Sequence, residues 1–220
     1  MIEVIVLIEL IDFSKKYRKS VIIHSTNIIL EDKKFYFILG KNGVGKTTFL
    51  KCLLNLESYN GTIKYANLER QGIFPIFDDI PLYLNLNGYD NIKLLIGQAF
   101  SKEDINNLQI LPHHLLKKKV KFYSLGEKKK LLMMAVIIKQ PSCLILDEIA
   151  NGLDQDSLKW FITRINMLKK NCLIIATGHY FEFYERILDE IIIIHDKKIL
   201  QLVRGKENLN EIYEKYCRDD

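Results

Sequence analysis

Short, almost wholly apolar runs alternate along the chain with longer stretches whose apolar positions recur every three to four residues, the pattern of strands followed by amphipathic helices. Ile2 to Ile11 and Val21 to Leu30 read as β-rich runs around a turn at Lys15 to Ser20, a small antiparallel sheet laid before the main fold. Phe35 to Leu39 reads as a buried strand and Phe49 to Leu53 as the opening turns of a helix. Asn60-Gly61 marks a turn before a short strand at Thr62 to Ala66, and Gln71 to Phe77 is a further β-like run. From Tyr83 to Phe100 the spacing becomes helical, Ser101 to Asp104 spells a capping box, and Pro112 breaks the region. These features predict a small helical lobe at about 84–122, inserted between strands of the main sheet.

Beyond it, Ser124 to Lys139 predicts a helix with Ser124 at its N-terminus, ended by Pro141. Cys143 to Leu146 has the look of a parallel strand buried on both faces, Asp156 to Lys170 of a crossover helix, and Cys172 to Ala176 of the next parallel strand. A helix at Phe181 to Leu188, a hairpin of Glu190 to His195 with Ile199 to Val203, and an amphipathic helix at Glu207 to Tyr216 complete the chain. The class is α/β with a mostly parallel sheet, and 220 residues form one domain with a small lobe.

Composition narrows the partners. Thirty-two basic against 27 acidic residues leave a formal charge of +5, with the lysines scattered as Lys15-Lys16, Lys33-Lys34, Lys117 to Lys121 and Lys128 to Lys130. So mild and dispersed an excess calls for a solvated face or nucleotide phosphates, and no nucleic-acid partner is expected. Cys52, Cys143, Cys172 and Cys217 are far apart and lie mostly in apolar runs, as for core packing in a reducing compartment rather than a disulfide or zinc framework. The apolar opening carries Glu3 and Glu9 and no basic leader, so it reads as a strand and not a signal peptide, and no apolar run approaches the roughly 20 residues that cross a bilayer.

Chemistry enters at Gly40-Lys41-Asn42-Gly43-Val44-Gly45-Lys46-Thr47-Thr48, a glycine loop between strand and helix. Its glycines allow successive backbone N–H groups to converge on phosphate oxygens, and the following helix adds the positive end of its dipole. Lys46 is expected to reach the β and γ phosphates, Thr47 to offer its hydroxyl to Mg2+, and Thr48 to stand behind it. Asp147 and Glu148 end a buried strand, so their side chains diverge: Asp147 is expected on the magnesium and Glu148 on the attacking water. His179, at the end of the next strand, is placed to touch the γ phosphate and that water. Tyr17, in a turn, is an aromatic that can stack on a purine. His24, His113, His114 and His195 have no such context and read as structural.

Taken together, these motifs resemble the ATP-binding subunit of an ABC transporter, from Ile8 to about Arg204. The family's P-loop is Gly40 to Thr48, its signature loop Tyr123-Ser124-Leu125-Gly126-Glu127, its Walker B strand Cys143 to Glu148, its D-loop Asn151-Gly152-Leu153-Asp154 and its switch histidine His179. The signature and D-loop forms further resemble bacterial exporters of peptide antibiotics and bacteriocins. The resemblance implies a P-loop NTPase core and a head-to-tail dimer of two copies. ATP would be sandwiched between one copy's P-loop and the other's Ser124 and Gly126, with Tyr17 stacking on adenine. It also implies an integral membrane transporter subunit as partner and a peripheral position on the cytoplasmic face of the cell membrane. The pattern is departed from at Leu125 and Glu127, at Ile149 and Ala150 after Glu148, and at Asp78, which stands where a metal-ligating glutamine is usual. Two other readings compete: a soluble ABC ATPase of translation or DNA repair, and a nucleotide-binding organiser with weak hydrolysis. An apolar coupling surface is expected at Pro81, Leu82, Tyr83 and Leu84.

Overall fold

The computed structural model describes residues 6–66, 72–79, 81–97 and 101–218. The predicted strand start at Ile2, the start of the second β-like run at Gln71 and the predicted helical end at Phe100 lie outside the described residues.

Two sheets form the frame. Strands β1 (Val6–Tyr17), β2 (Ser20–Glu31) and β4 (Asn60–Tyr65) make an antiparallel sheet in the order β2-β1-β4. Strands β3 (Phe35–Leu39), β5 (Ile73–Ile76), β6 (Cys143–Asp147), β7 (Leu173–Thr177), β8 (Glu190–His195) and β9 (Lys198–Val203) make the larger one. Its order is β5-β6-β7-β3-β8-β9, parallel except for β9, which returns as a hairpin on β8.

The central strands are buried on both faces, and their sequence shows why. In β3, Phe35, Phe37 and Leu39 join the core beneath the large sheet, while Tyr36 and Ile38 join the core between the two sheets. Alternation therefore sends every side chain into an apolar layer, and each large one contributes about 1.5–3 kcal/mol by burial. Tyr36 keeps its polar end satisfied by accepting the Glu31 N–H at 2.9 Å.

Helix α1 (Lys46–Leu53) follows β3 directly and packs into the inter-sheet core through Phe49, Leu50, Cys52 and Leu53. Helices α2 (Gly88–Ile96), α3 (Lys102–Asn107) and α4 (His113–Leu116), with a 3-10 turn at Val120–Phe122, fill the stretch between β5 and helix α5 (Leu125–Lys139). Ser101 does cap α3, and its reciprocal bond with Asp104 makes the expected capping box. Helices α6 (Gln155–Leu168), α7 (Phe181–Glu185) and α8 (Leu209–Cys217) complete the layer beneath the large sheet.

One expected turn is displaced. β1 runs through the predicted turn at Lys15 to Ser20, leaving only Arg18 and Lys19 between Tyr17 and its partner Ser20. The polar run breaks the apolar pattern, yet Lys15 is only 1% exposed because its ammonium donates to Glu57 Oε2 at 3.1 Å and Ser58 O at 2.5 Å. Such partners, more than forty residues along the chain, leave no trace in the local pattern. The four cysteines are buried and unpaired, in keeping with a packing role. Among the described residues no helix is long and apolar enough to cross a membrane. Leu82, expected on a coupling surface, is instead buried in the lower core, whereas Tyr83 and Leu84 are exposed.

Candidate functional site

The C-terminal edges of β3, β6 and β7 meet at one place, because these strands are parallel neighbours and their following loops emerge together. The loop after β3 wraps into α1 with Gly43 and Gly45 at φ +76 and +114. A Cβ on Gly45 would also stand 2.7 Å from Ile22 Cγ2, so the turn closes only without a side chain there. With Gly45 as N-cap, no side-chain oxygen occupies the first N–H groups of α1, which are left for an anion. Asn42, Gly43, Gly45, Lys46, Thr47, Thr48 and Glu148 line a depression of about 200 Å3 beside it.

Lys46 folds back over the loop it belongs to, donating to Gly40 O at 2.8 Å and Lys41 O at 3.0 Å. Burial lowers its pKa, and the charges of Glu148 and Asp147 act against that fall. Thr47 Oγ1 donates to Asp147 Oδ2 at 3.0 Å, which joins two hard-oxygen groups one hundred residues apart. The second Asp147 oxygen accepts a hydrogen bond from the Thr177 hydroxyl. Asp147 and Thr47 thus have the chemistry of a magnesium site. Among the described residues no cluster of three or more His, Cys, Asp or Glu could hold a metal alone, so such an ion would take further ligands from phosphate and water.

Glu148 and His179 also come together, with His179 Nε2 at 3.3 Å from Glu148 Oε1. The Glu148 side chain is 18% exposed and that of His179 45%, so both reach water, Glu148 from the lining of the depression. Asn151 Nδ2 donates to Glu148 Oε2 at 2.9 Å and orients the carboxylate from the other side. The backbone of Glu148 is left-handed, φ +59, which costs a non-glycine residue about 1–2 kcal/mol. This conformation and one of the sequence departures belong together. A proline at position 149 would press its predecessor toward extended backbone, and Ile149 lifts that constraint.

The signature stretch lies on the N-terminus of α5. Ser124 and Glu127 form a capping box: Glu127 N donates to Ser124 Oγ at 3.2 Å, and Ser124 N to Glu127 Oε2 at 2.7 Å. Glu127 therefore has a helix-stabilising role, at the expense of one of the N–H groups expected free at this end. Leu125 packs on the D-loop, where a Cβ on Gly152 would lie 2.6 Å from Leu125 Cδ2. The leucine fills space left open by a glycine at φ +67. Gly126 sits over Ser157 and Leu153, so the signature end of α5 and the D-loop form one packed unit. Neither Ser124 nor Gly126 lines the depression beside the P-loop of the same chain.

Two expected residues stand apart. Asp78 is exposed beyond β5, and among the described residues no hydrogen bond or ion pair joins it to Thr47 or Asp147; its charge acts on Lys129. Tyr17 ends β1 at 43% exposure, with Lys15 Nζ 4.2 Å from its ring centroid. One face of this ring is thus taken by an ammonium, and a base would stack on the other.

Three residues were not anticipated. Thr177 supports Asp147 from β7, and its place at a polar strand end was the available signal. Asn151 holds Glu148, a contact that only the turn geometry discloses. Lys129 is buried on α5 at 2% exposure, and its spacing to the buried Leu132, Met133 and Val136 would have put it on the apolar side.

Comparison with known proteins identifies the family. Residues 23–151 match the ABC transporter family. The chain is 31% identical over 218 residues to the lantibiotic transport ATP-binding protein SrtF of Streptococcus pyogenes, covering 92% of this chain and 93% of that protein. It is 29% identical over 224 residues to the bacitracin transport ATP-binding protein BcrA of Enterococcus faecalis, covering 94% and 71% respectively. Among solved structures, an ATP-binding subunit of an ABC transporter superposes with a TM-score of 0.77 at 22% identity over 95% of this chain and 92% of that one. CbiO1 from Clostridium perfringens, part of the ABC transporter complex cbiONQ, gives 0.77 at 20% identity over 96% and 91%. With a glycine loop, paired acids and a strand-end histidine at one sheet edge, the chain belongs to the ABC transporter family as an ATP-binding, ATP-hydrolysing protein.

Proposed function

We propose that this chain hydrolyses Mg2+-bound ATP at the P-loop edge and passes the resulting motion to a separate integral membrane subunit that exports a peptide-like or amphipathic substrate. The observation that carries the reading is the convergence of Thr47 on Asp147 and of His179 on Glu148 beside the same glycine loop. In the reaction, Lys46 leaves its loop carbonyls for the β and γ phosphates, and the first-turn N–H groups of α1 receive the anion. Thr47 and Asp147 would hold a magnesium ion, which would neutralise phosphate charge when bound. Glu148 accepts a hydrogen bond from the attacking water and so aims it, while His179 donates toward the γ phosphate. Asp78 is assigned to a water-mediated contact with the metal and Tyr17 to the adenine.

The site is half built in one copy. A depression of about 200 Å3 falls short of the roughly 300–1,000 Å3 usual for an enclosed ligand site. A second copy, head to tail, would close it with Ser124 and Gly126, whose helix N-terminus suits a γ phosphate. Export is favoured by the lantibiotic and bacitracin transport relatives, and they give no support to the translation or DNA-repair reading.

Tyr83 (63% exposed), Leu84 (49%) and Phe122 (67%), at the two ends of the helical stretch between β5 and α5, offer an apolar face for a cytoplasmic helix of the membrane subunit. A peripheral position on the cytoplasmic face of the membrane is part of the proposal. Affinity purification from detergent-solubilised native membranes checks the proposal, with an integral membrane protein expected to copurify. Recovery of ribosomal or DNA-repair partners in its place would refute it.

A further inference from the structure

Lys129 is a charged residue in a place that packing alone would give to an apolar one. It lies on α5 among the buried Leu132, Met133 and Val136, 2% exposed, one turn inside the signature end. Burying an ammonium is unfavourable unless its hydrogens are taken up, and here carbonyls take them. Nζ donates to Asn151 O at 2.6 Å and Ile149 O at 2.9 Å, with Glu148 O at 3.5 Å. All three acceptors belong to the four-residue turn that starts at Glu148 and is closed by Asn151 N on Glu148 O at 3.1 Å. That turn also holds the left-handed Glu148, and Ile149 brings to it none of the φ restraint of a proline.

We propose that Lys129 is the positioning residue of the hydrolytic site: its ammonium gathers the carbonyls of residues 148, 149 and 151 and so fixes the direction of the Glu148 carboxylate. The inference rests on Glu148 as the group that aims the water. Because Lys129 stands on the same helix as Ser124, it also ties the signature end of α5 to the catalytic turn of its own chain. A shift of that helix when another copy's nucleotide arrives is thereby felt at Glu148 through one side chain. Lys129 touches neither nucleotide nor water, so it should affect the rate of hydrolysis and leave ATP binding alone.

The experiment compares Lys129→Met, which keeps the length and removes the donors, with Lys129→Gln, which keeps N–H donors, measuring steady-state turnover, KM and fluorescent-ATP affinity on the full chain. Lys129→Met is expected to lower kcat by about 10–100-fold, the scale of a misplaced catalytic group, with KM and ATP affinity within about twofold of the parent. Lys129→Gln should recover a large part of that loss. Parental turnover in Lys129→Met would overturn the proposal. So would a loss of ATP binding or of the folded state alongside turnover, since Lys129 would then be a folding element only. Glu148→Gln is measured in parallel: if it is inactive while Lys129→Met is unimpaired, the positioning role alone fails, and if it hydrolyses ATP at the parental rate, the reading of Glu148 fails with it.

Discussion

The P-loop edge and the signature end of α5 are built from equally local sequence signals, yet they are finished to different degrees. At the P-loop edge, groups that follow three strands, β3, β6 and β7, already touch one another: Thr47 and Thr177 on Asp147, and His179 and Asn151 on Glu148. At the signature end, Ser124 is engaged with Glu127, and Leu125 and Gly126 are seated on the chain's own D-loop. On the proposed reading the first region is a catalytic centre in need of a lid, and the second is the lid for another copy, with its underside fixed to its own chain's turn after β6. Polar groups that belong to one reaction need not face each other within one copy, provided a second copy presents the missing face.

That contrast can be broken most severely at the P-loop. Lys46→Ala removes a buried cation held between the loop carbonyls and the site acids, and ATP affinity should fall by about 100-fold or more, as measured by calorimetry. Affinity retained within a few fold would deny the loop its assigned role. A middle-sized effect is expected at Thr177→Val, which keeps the shape of a fully buried side chain but deprives Asp147 of a hydrogen bond. We expect a loss of about 1–3 kcal/mol in stability by thermal denaturation and a reduced turnover, because a buried carboxylate loses a partner. An unchanged melting temperature and rate would show that Thr177 does not support Asp147.

The smallest effect concerns the signature end. Glu127→Gln keeps an acceptor for the Ser124 N–H while removing a negative charge from the place assigned to another copy's γ phosphate. ATP-dependent self-association should strengthen by about two- to fivefold at low salt and converge with the parent at high salt, as read by sedimentation. A weaker association in the variant would mean that the carboxylate serves more than the cap.

The same two regions separate what could be read in the sequence from what could not. The strand–glycine loop–helix succession, the acids closing an apolar strand, the helix start at Ser124 and the Ser101–Asp104 capping box are contiguous, and each agreed with the structure, whereas the Ser124–Glu127 box was visible only there. What escaped was decided by distant partners. Lys15 broke the strand pattern but is buried by Glu57 and Ser58, and Lys129 looked like one member of a solvated lysine run until the turn after β6 supplied its carbonyls. Asp78 was placed by alignment with the family's pattern, and it is exposed just beyond β5, with no direct hydrogen bond or ion pair to Thr47 or Asp147 among the described residues. Nothing in the order of residues announced that Glu148 would be left-handed, although Ile149 adds none of the restraint that a following proline would.

Sharing of a nucleotide between the P-loop edge of one copy and the signature end of another can be read from sedimentation of Glu148→Gln with saturating Mg2+ and ATP. A species of twice the chain mass is expected to form with ATP and dissociate with ADP, and to be abolished by adding Ser124→Arg while ATP binding persists. A Glu148→Gln chain that binds ATP and remains monomeric, or a dimer indifferent to Ser124→Arg, would contradict it.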